Sequence, residues 1–112
     1  MNFNIHLTPR CMKSLKALSK RHRSFKADFT DFANSLKTDP FQGVELVPGI
    51  RKIRMAITSK GRGKSGGARV ITYTVVATET EGNVYLLEIY DKADYSTIDI
   101  SVIRSMAEEI GL

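Results

Sequence analysis

The hydrophobic spacing of this chain switches from helical to alternating at Pro48-Gly49, and that switch limits what it can fold into. Before Pro48-Gly49, Phe25, Phe29, Phe32 and Leu36 recur at spacings of four, three and four, the stripe of an amphipathic helix. After it the spacing is two: Ile53, Met55 and Ile57 share one side, with Lys52 and Arg54 on the other. The aromatic stripe could stack nucleic-acid bases, but helical spacing favours a place in the core.

The remaining segments fit around this switch. Phe3 to Leu7 alternates as a short strand does. Thr8-Pro9 suits the N-cap and first position of a helix that carries Met12, Leu15 and Leu18. Arg21-His22-Arg23 reads as a short solvated connection, and Ser24 as the next cap. The short link predicts an antiparallel helical hairpin. Thr38-Asp39-Pro40 ends the second helix. Val44 to Val47 suits a short extended piece. Strands are expected from Ile50, over 68–78 and over 84–90, with a turn at Glu81-Gly82-Asn83. The last strand is apolar enough to be central and covered on both faces, and Glu88 within it is expected to be a structural ion-pair partner. A polar connector over 91–97 leads to a helix ending near Ile110, with Ile100, Ile103, Ala107 and Ile110 on its apolar face. The order β-α-α-β-β-β-α predicts one α+β domain over residues 1–112: an N-terminal helical hairpin on an antiparallel meander, with a C-terminal helix. At 112 residues, 42% hydrophobic and 26% charged, the chain suits one modest core.

Charge is distributed unevenly. The net charge is +5, and no Asp or Glu lies between Glu45 and Glu79. That window contains Lys60-Gly61-Arg62-Gly63-Lys64-Ser65-Gly66-Gly67-Ala68-Arg69-Val70-Ile71, with four cations among four glycines. Glycine lets a backbone approach another molecule closely, and long cations beside it suit phosphate. The stretch reads as an electropositive hairpin loop for a polyanion, most readily RNA; a solvated loop joining two strands has the same composition. Residues 10–26 carry seven further cations and no acid. They suit a solvated helix face that can also reach RNA phosphates.

Several chemistries are excluded by the residues. Gly61 to Ser65 is too short for a phosphate-binding P-loop. One cysteine, Cys11, allows no internal disulfide, and with His6 and His22 it makes no recognisable zinc site. Met1 to Ile5 lacks the pattern of a signal peptide, and no apolar run reaches membrane-spanning length. The expected location is the cytoplasm, with no membrane partner and no cofactor.

The meander should gather Arg69 at the start of one strand, Tyr90 and Lys92 at the end of its neighbour, and Tyr95 just beyond. Arg62 and Lys64 would overhang from the loop, with Lys60 at its root and Lys52 and Arg54 lining the adjacent strand. Such a group could bind RNA phosphates and stack bases. It could also cleave RNA without a metal: 2′-OH attack builds negative charge that preorganised cations stabilise, and a Lys or Tyr of lowered pKa could take the proton.

The glycine-rich motif with its trailing Arg69-Val-Ile, followed by Val84-Tyr-Leu-Leu-Glu-Ile-Tyr-Asp-Lys92, resembles the RelE/ParE toxin superfamily, and within it the HigB-type RelE-like toxins. The likeness spans nearly the whole chain. It implies a small RelE-like fold and a toxin of a type II toxin–antitoxin system. Such a toxin is an mRNA endonuclease, often acting on the translating ribosome, that inhibits translation and is neutralised by a cognate antitoxin. Carried over by position, the resemblance implies catalytic roles for Arg62, Lys64, Arg69 and Tyr90, with Lys52, Arg54, Lys60, Lys92 and Tyr95 in substrate binding. The gyrase-inhibiting branch and an inactive nucleic-acid-binding homologue are the alternatives within the resemblance. Two departures stand out. Arg69-Val-Ile-Thr-Tyr73 has threonine where the family often has a first tyrosine, and 97–112 lacks the tail tyrosine of some ribosome-dependent members.

Overall fold

The computed structural model describes residues 2–95 and 97–112. Ser96, within the expected polar connector, lies outside the described residues. The elements are β1 (Asn2–Leu7), α1 (Pro9–Arg21), α2 (Phe25–Thr38), β2 (Val44–Val47), β3 (Ile50–Met55), a 3-10 turn (Thr58–Lys60), β4 (Ala68–Val76), β5 (Glu81–Asp91) and α3 (Ile100–Glu109). One five-stranded sheet has the order β1-β5-β4-β3-β2. The expected α+β architecture is present. The sheet is mixed, because β1 joins β5 in parallel while the other pairs are antiparallel. Among the described residues no helix is long and apolar enough to cross a membrane.

The two faces of the sheet are covered by different helices. On one face, Cys11 and Leu18 of α1 and Phe25, Phe29, Phe32 and Leu36 of α2 pack on Phe3, Ile53, Val70, Val84, Leu86 and Ile89. The phenylalanine stripe is therefore core. On the other face, Ile103, Met106 and Ala107 of α3 pack on Ile50, Ile71, Leu87 and Tyr90. Both faces of β5 are thus buried, although β4 is the middle strand. The Thr8 hydroxyl accepts from the Cys11 N–H at 3.2 Å and donates to the Leu86 carbonyl at 2.8 Å, so the cap of α1 also fastens the helix to β5.

Two local expectations are corrected. The segment 81–83 is not a turn: β5 already begins at Glu81, and the chain reverses over 77–80. Gly82 lies inside the strand, where a β-carbon would sit 2.7 Å from the ring of Phe3 and 2.4 Å from the Val75 carbonyl, so the position requires glycine for close packing and not for a turn. Ser24 takes the N-cap position of α2 but makes no capping bond; its hydroxyl donates to Asp28 at 2.7 Å.

A bulge in β5 decides which side chains reach which face. Ile71 of β4 pairs with Glu88 and Thr72 with Leu86, so one extra residue enters β5. Strict alternation from Leu86 would place Tyr90 under α1 and α2. The bulge places it on the α3 face instead and turns Ile89 and Asp91 toward α1 and α2. Glu88, inside the bulge, accepts from the Ile89 N–H at 2.9 Å and forms no ion pair among the described residues, contrary to its expected role.

Candidate nucleic-acid interface

Three rungs of the α3 face lead from apolar to cationic. Ile50 pairs with Tyr73, Lys52 with Ile71, and Arg54 with Arg69, which in turn faces Tyr90 on β5. Directly opposed residues of an antiparallel pair share a face and approach closely. The last rung therefore sets two guanidinium groups and a phenol side by side.

Around that rung lies a groove of about 440 Å3 lined by Lys52, Arg54, Lys64, Arg69 and Lys92, with Gln42, Gly43 and Val44 at its β2 end. Among the described residues no carboxylate lines it. Arg54, Lys64 and Lys92 enter no ion pair among the described residues. The Gln42-Gly43 lining is absent from the sequence reading. Gly43 has φ +78°, and a β-carbon there would stand 2.3 Å from the Lys52 carbonyl, so only glycine lets this wall close on β3.

Arg69 is buried, and its guanidinium is committed to the loop. It donates to the carbonyls of Lys64, Ser65 and Ala68, each at 3.1 Å. Burial first, and then the neighbouring Arg54 cation, lower its pKa. An arginine keeps its charge under such a shift, so its field still reaches the groove. Its geometry makes it the staple that folds the glycine loop over the site. Gly67 is where that loop passes tightly against the end of β3: a β-carbon would lie 2.2 Å from the Met55 carbonyl. The Gly67 carbonyl accepts from the Lys92 N–H at 3.0 Å. Arg62 is exposed near the loop tip with its stem over Gly66, outside the groove lining.

Tyr90 is almost fully buried under Tyr95, with ring centroids 4.6 Å apart and planes at 20°. Its hydroxyl has no hydrogen-bond partner among the described residues. Burial raises its pKa, against an opposing pull from Arg69. Burial likewise raises that of Tyr95. Neither phenol has the lowered pKa expected of a general base. Tyr95 is half exposed and offers a ring face.

Lys60 and His22 point elsewhere. The Lys60 ammonium bonds Asp91 at 2.7 Å and His22 Nε2 lies 2.8 Å from the same carboxyl, with Arg21 at 3.4 Å. His22 is therefore not a solvated turn residue. Asp91 is only 2% exposed. Burial alone would raise its pKa, but the bonds from Lys60, the Ala93 N–H and His22 outweigh it and hold the carboxyl at about 2. This node, on the sheet face under α1, anchors the root of the cationic loop from behind. It has no spacing signature, since its members lie 31 and 69 residues apart. Cys11 is fully buried, and burial pushes its thiol up to about 12, so it is not a nucleophile.

No protein-family model matches the chain.

Proposed function

We propose that this protein binds RNA in the cationic groove and cleaves mRNA there as the toxin of a type II toxin–antitoxin system, silenced by a cognate antitoxin protein. One observation carries the RNA-binding part: five cations and no carboxylate line a single groove at the uncovered end of the sheet. The toxin assignment rests on the sequence resemblance.

In such a site the scissile phosphate lies on Arg54 and Lys64, whose side chains are not drawn into ion pairs. The 2′-oxygen gives up its proton to solvent water and attacks phosphorus in line as the P–O5′ bond breaks; the leaving 5′-oxygen takes a proton from water, giving a 2′,3′-cyclic phosphate and a 5′-hydroxyl. Charge on the non-bridging oxygens is stabilised by Arg54, Lys64 and the field of Arg69. Arg69 acts chiefly by holding the loop. Tyr95 offers a stacking face for a base, with Tyr90 as its backing.

Controlled expression in a bacterial host, with growth curves and mapping of RNA 5′ ends, tests this. Wild type should arrest growth and produce new 5′-hydroxyl ends within coding regions. Arg54→Ala combined with Lys64→Ala should do neither while melting no lower than the wild type. Undisturbed growth with no new ends from the wild type would refute the nuclease reading. A second reading, RNA binding without cleavage, is favoured by the raised pKa of Tyr90 and Tyr95, the phenols the sequence offered for proton transfer. It predicts salt-sensitive RNA binding in vitro with no new ends.

A further inference from the structure

Next to the cationic groove lies a second cavity of about 270 Å3, between α2 and the end of β3. β2 pairs with β3 only as far as Lys52, so the β3 edge beyond it has no β2 partner. Arg54 and Lys64 line both cavities, which therefore meet across that edge. The second cavity differs in chemistry. Phe32 and Met55 give it an apolar wall, and Asp28 and Asp31 add carboxylates.

The two carboxylates are not equivalent. Asp28 is fully engaged: it accepts from the Ser24 hydroxyl at 2.7 Å, the Thr58 N–H at 2.8 Å and the Thr58 hydroxyl. Burial works against its ionisation, but these bonds outweigh it and its pKa is lowered, so it is a fixed negative charge. Asp31 is exposed, and its carboxylate makes no hydrogen bond or ion pair among the described residues. The Gln42 amide beside it is held by Ser35 Oγ and the Asp39 carbonyl, both at 3.0 Å.

A polyanion on Arg54 and Lys64 cannot continue into this cavity through a phosphate, because Asp28 and Asp31 would repel it. A base can enter, against the apolar wall. An ionised carboxylate only accepts hydrogen bonds, so it selects a base edge rich in donors. The Watson–Crick edge of guanine offers two adjacent donors, N1–H and the 2-amino group, which match the two oxygens of one carboxylate. Adenine and cytosine offer one amino group beside an acceptor, and uracil one imino group between two.

We infer that the α2 cavity is a base-selective subsite for guanine in single-stranded RNA, with Asp31 as the selecting group. The inference rests on the reading of the adjacent groove as an RNA site. Fluorescence anisotropy with labelled octaribonucleotides at fixed salt separates the two. The all-adenosine octamer reports on the groove alone; versions with one central guanosine or inosine report on the subsite. Wild type should bind the guanosine octamer about 10-fold more tightly than the all-adenosine one, with inosine between them, since guanine meets the carboxylate with two adjacent donors, hypoxanthine with one, and adenine with an amino group beside an acceptor. Asp31→Asn should remove that preference without weakening all-adenosine binding. Equal affinity of wild type for all three octamers, or a preference that survives Asp31→Asn, overturns the subsite while leaving the groove standing. Failure to bind any octamer overturns both.

Discussion

The same three strands build two unlike ends on one face of the sheet. Under α3, Ile50, Ile71 and Leu87 are sealed from water and make ordinary core. At the end of the same strands, Arg54 faces Arg69 across β3 and β4, and no helix among the described residues covers them with apolar side chains. Like charges directly opposite each other in a sheet are destabilising. The apolar end is thus organised for stability, and the cationic end is held together against its own repulsion. Support comes from elsewhere: Arg69 is tied to loop carbonyls, and Asp91, on the opposite face, holds Lys60 at the loop root.

Removing that support should give the largest effect. Asp91→Ala leaves Lys60 and His22 without the carboxyl they share and should cost about 3–5 kcal/mol in urea unfolding, the range for breaking a buried ion pair. A loss under 1 kcal/mol would show that the cationic end needs no anchor. At the apolar end, Ile71→Ala empties a fully buried site and should cost about 2–5 kcal/mol. Lys64→Ala, at the cationic end, should change stability by less than about 0.5 kcal/mol. Similar losses for these two would erase the distinction between the ends.

The anchor also has an acid signature. The Asp91 carboxyl lies at about 2 in the folded protein against an ordinary 3.8. A depressed pKa contributes stability above the unfolded value and loses it as pH falls through the folded one. Urea midpoints should therefore drop between about pH 4 and pH 2, by the equivalent of about 2 kcal/mol. In Asp91→Asn this part of the drop should vanish. A variant whose midpoints fall as steeply as the wild type's over that interval would remove Asp91 from the account.

The two ends also differ in how far the sequence discloses them. The core under α1 and α2 was legible because Phe25, Phe29, Phe32 and Leu36 repeat at helical spacing, and burial follows periodicity. The rung of Arg54, Arg69 and Tyr90 was partly legible, since a meander places a strand start beside its neighbour's end. What could not be read was the side on which Tyr90 would emerge. That depends on one inserted residue in a strand apolar on both faces, where alternation carries no information. The node at Asp91 was illegible for a related reason. Pairing between residues 31 and 69 positions apart leaves no local pattern, so the sequence suggests substrate binding for Lys60 and a solvated place for His22. Arg69 was found by its motif, but its engagement with three carbonyls is a property of the folded loop.

A small effect tests the comparison most directly, because its sign is opposite to the others. If the cationic end is arranged for an anion at the expense of the fold, then relieving the repulsion without the anion should stabilise the protein. Arg54→Gln keeps much of the side chain's length on an exposed strand position and removes one of two facing charges. It should raise stability by about 0.5 kcal/mol, a typical cross-strand increment. The same variant should weaken binding of single-stranded RNA and reduce the salt dependence of that binding by about one phosphate contact. Urea denaturation and anisotropy titrations at several salt concentrations read the two effects independently. Stabilisation with weakened binding ties the unfavourable rung to ligand capture. Destabilisation would mean that Arg54 supports the fold, and the contrast between the two ends would then be one of composition alone.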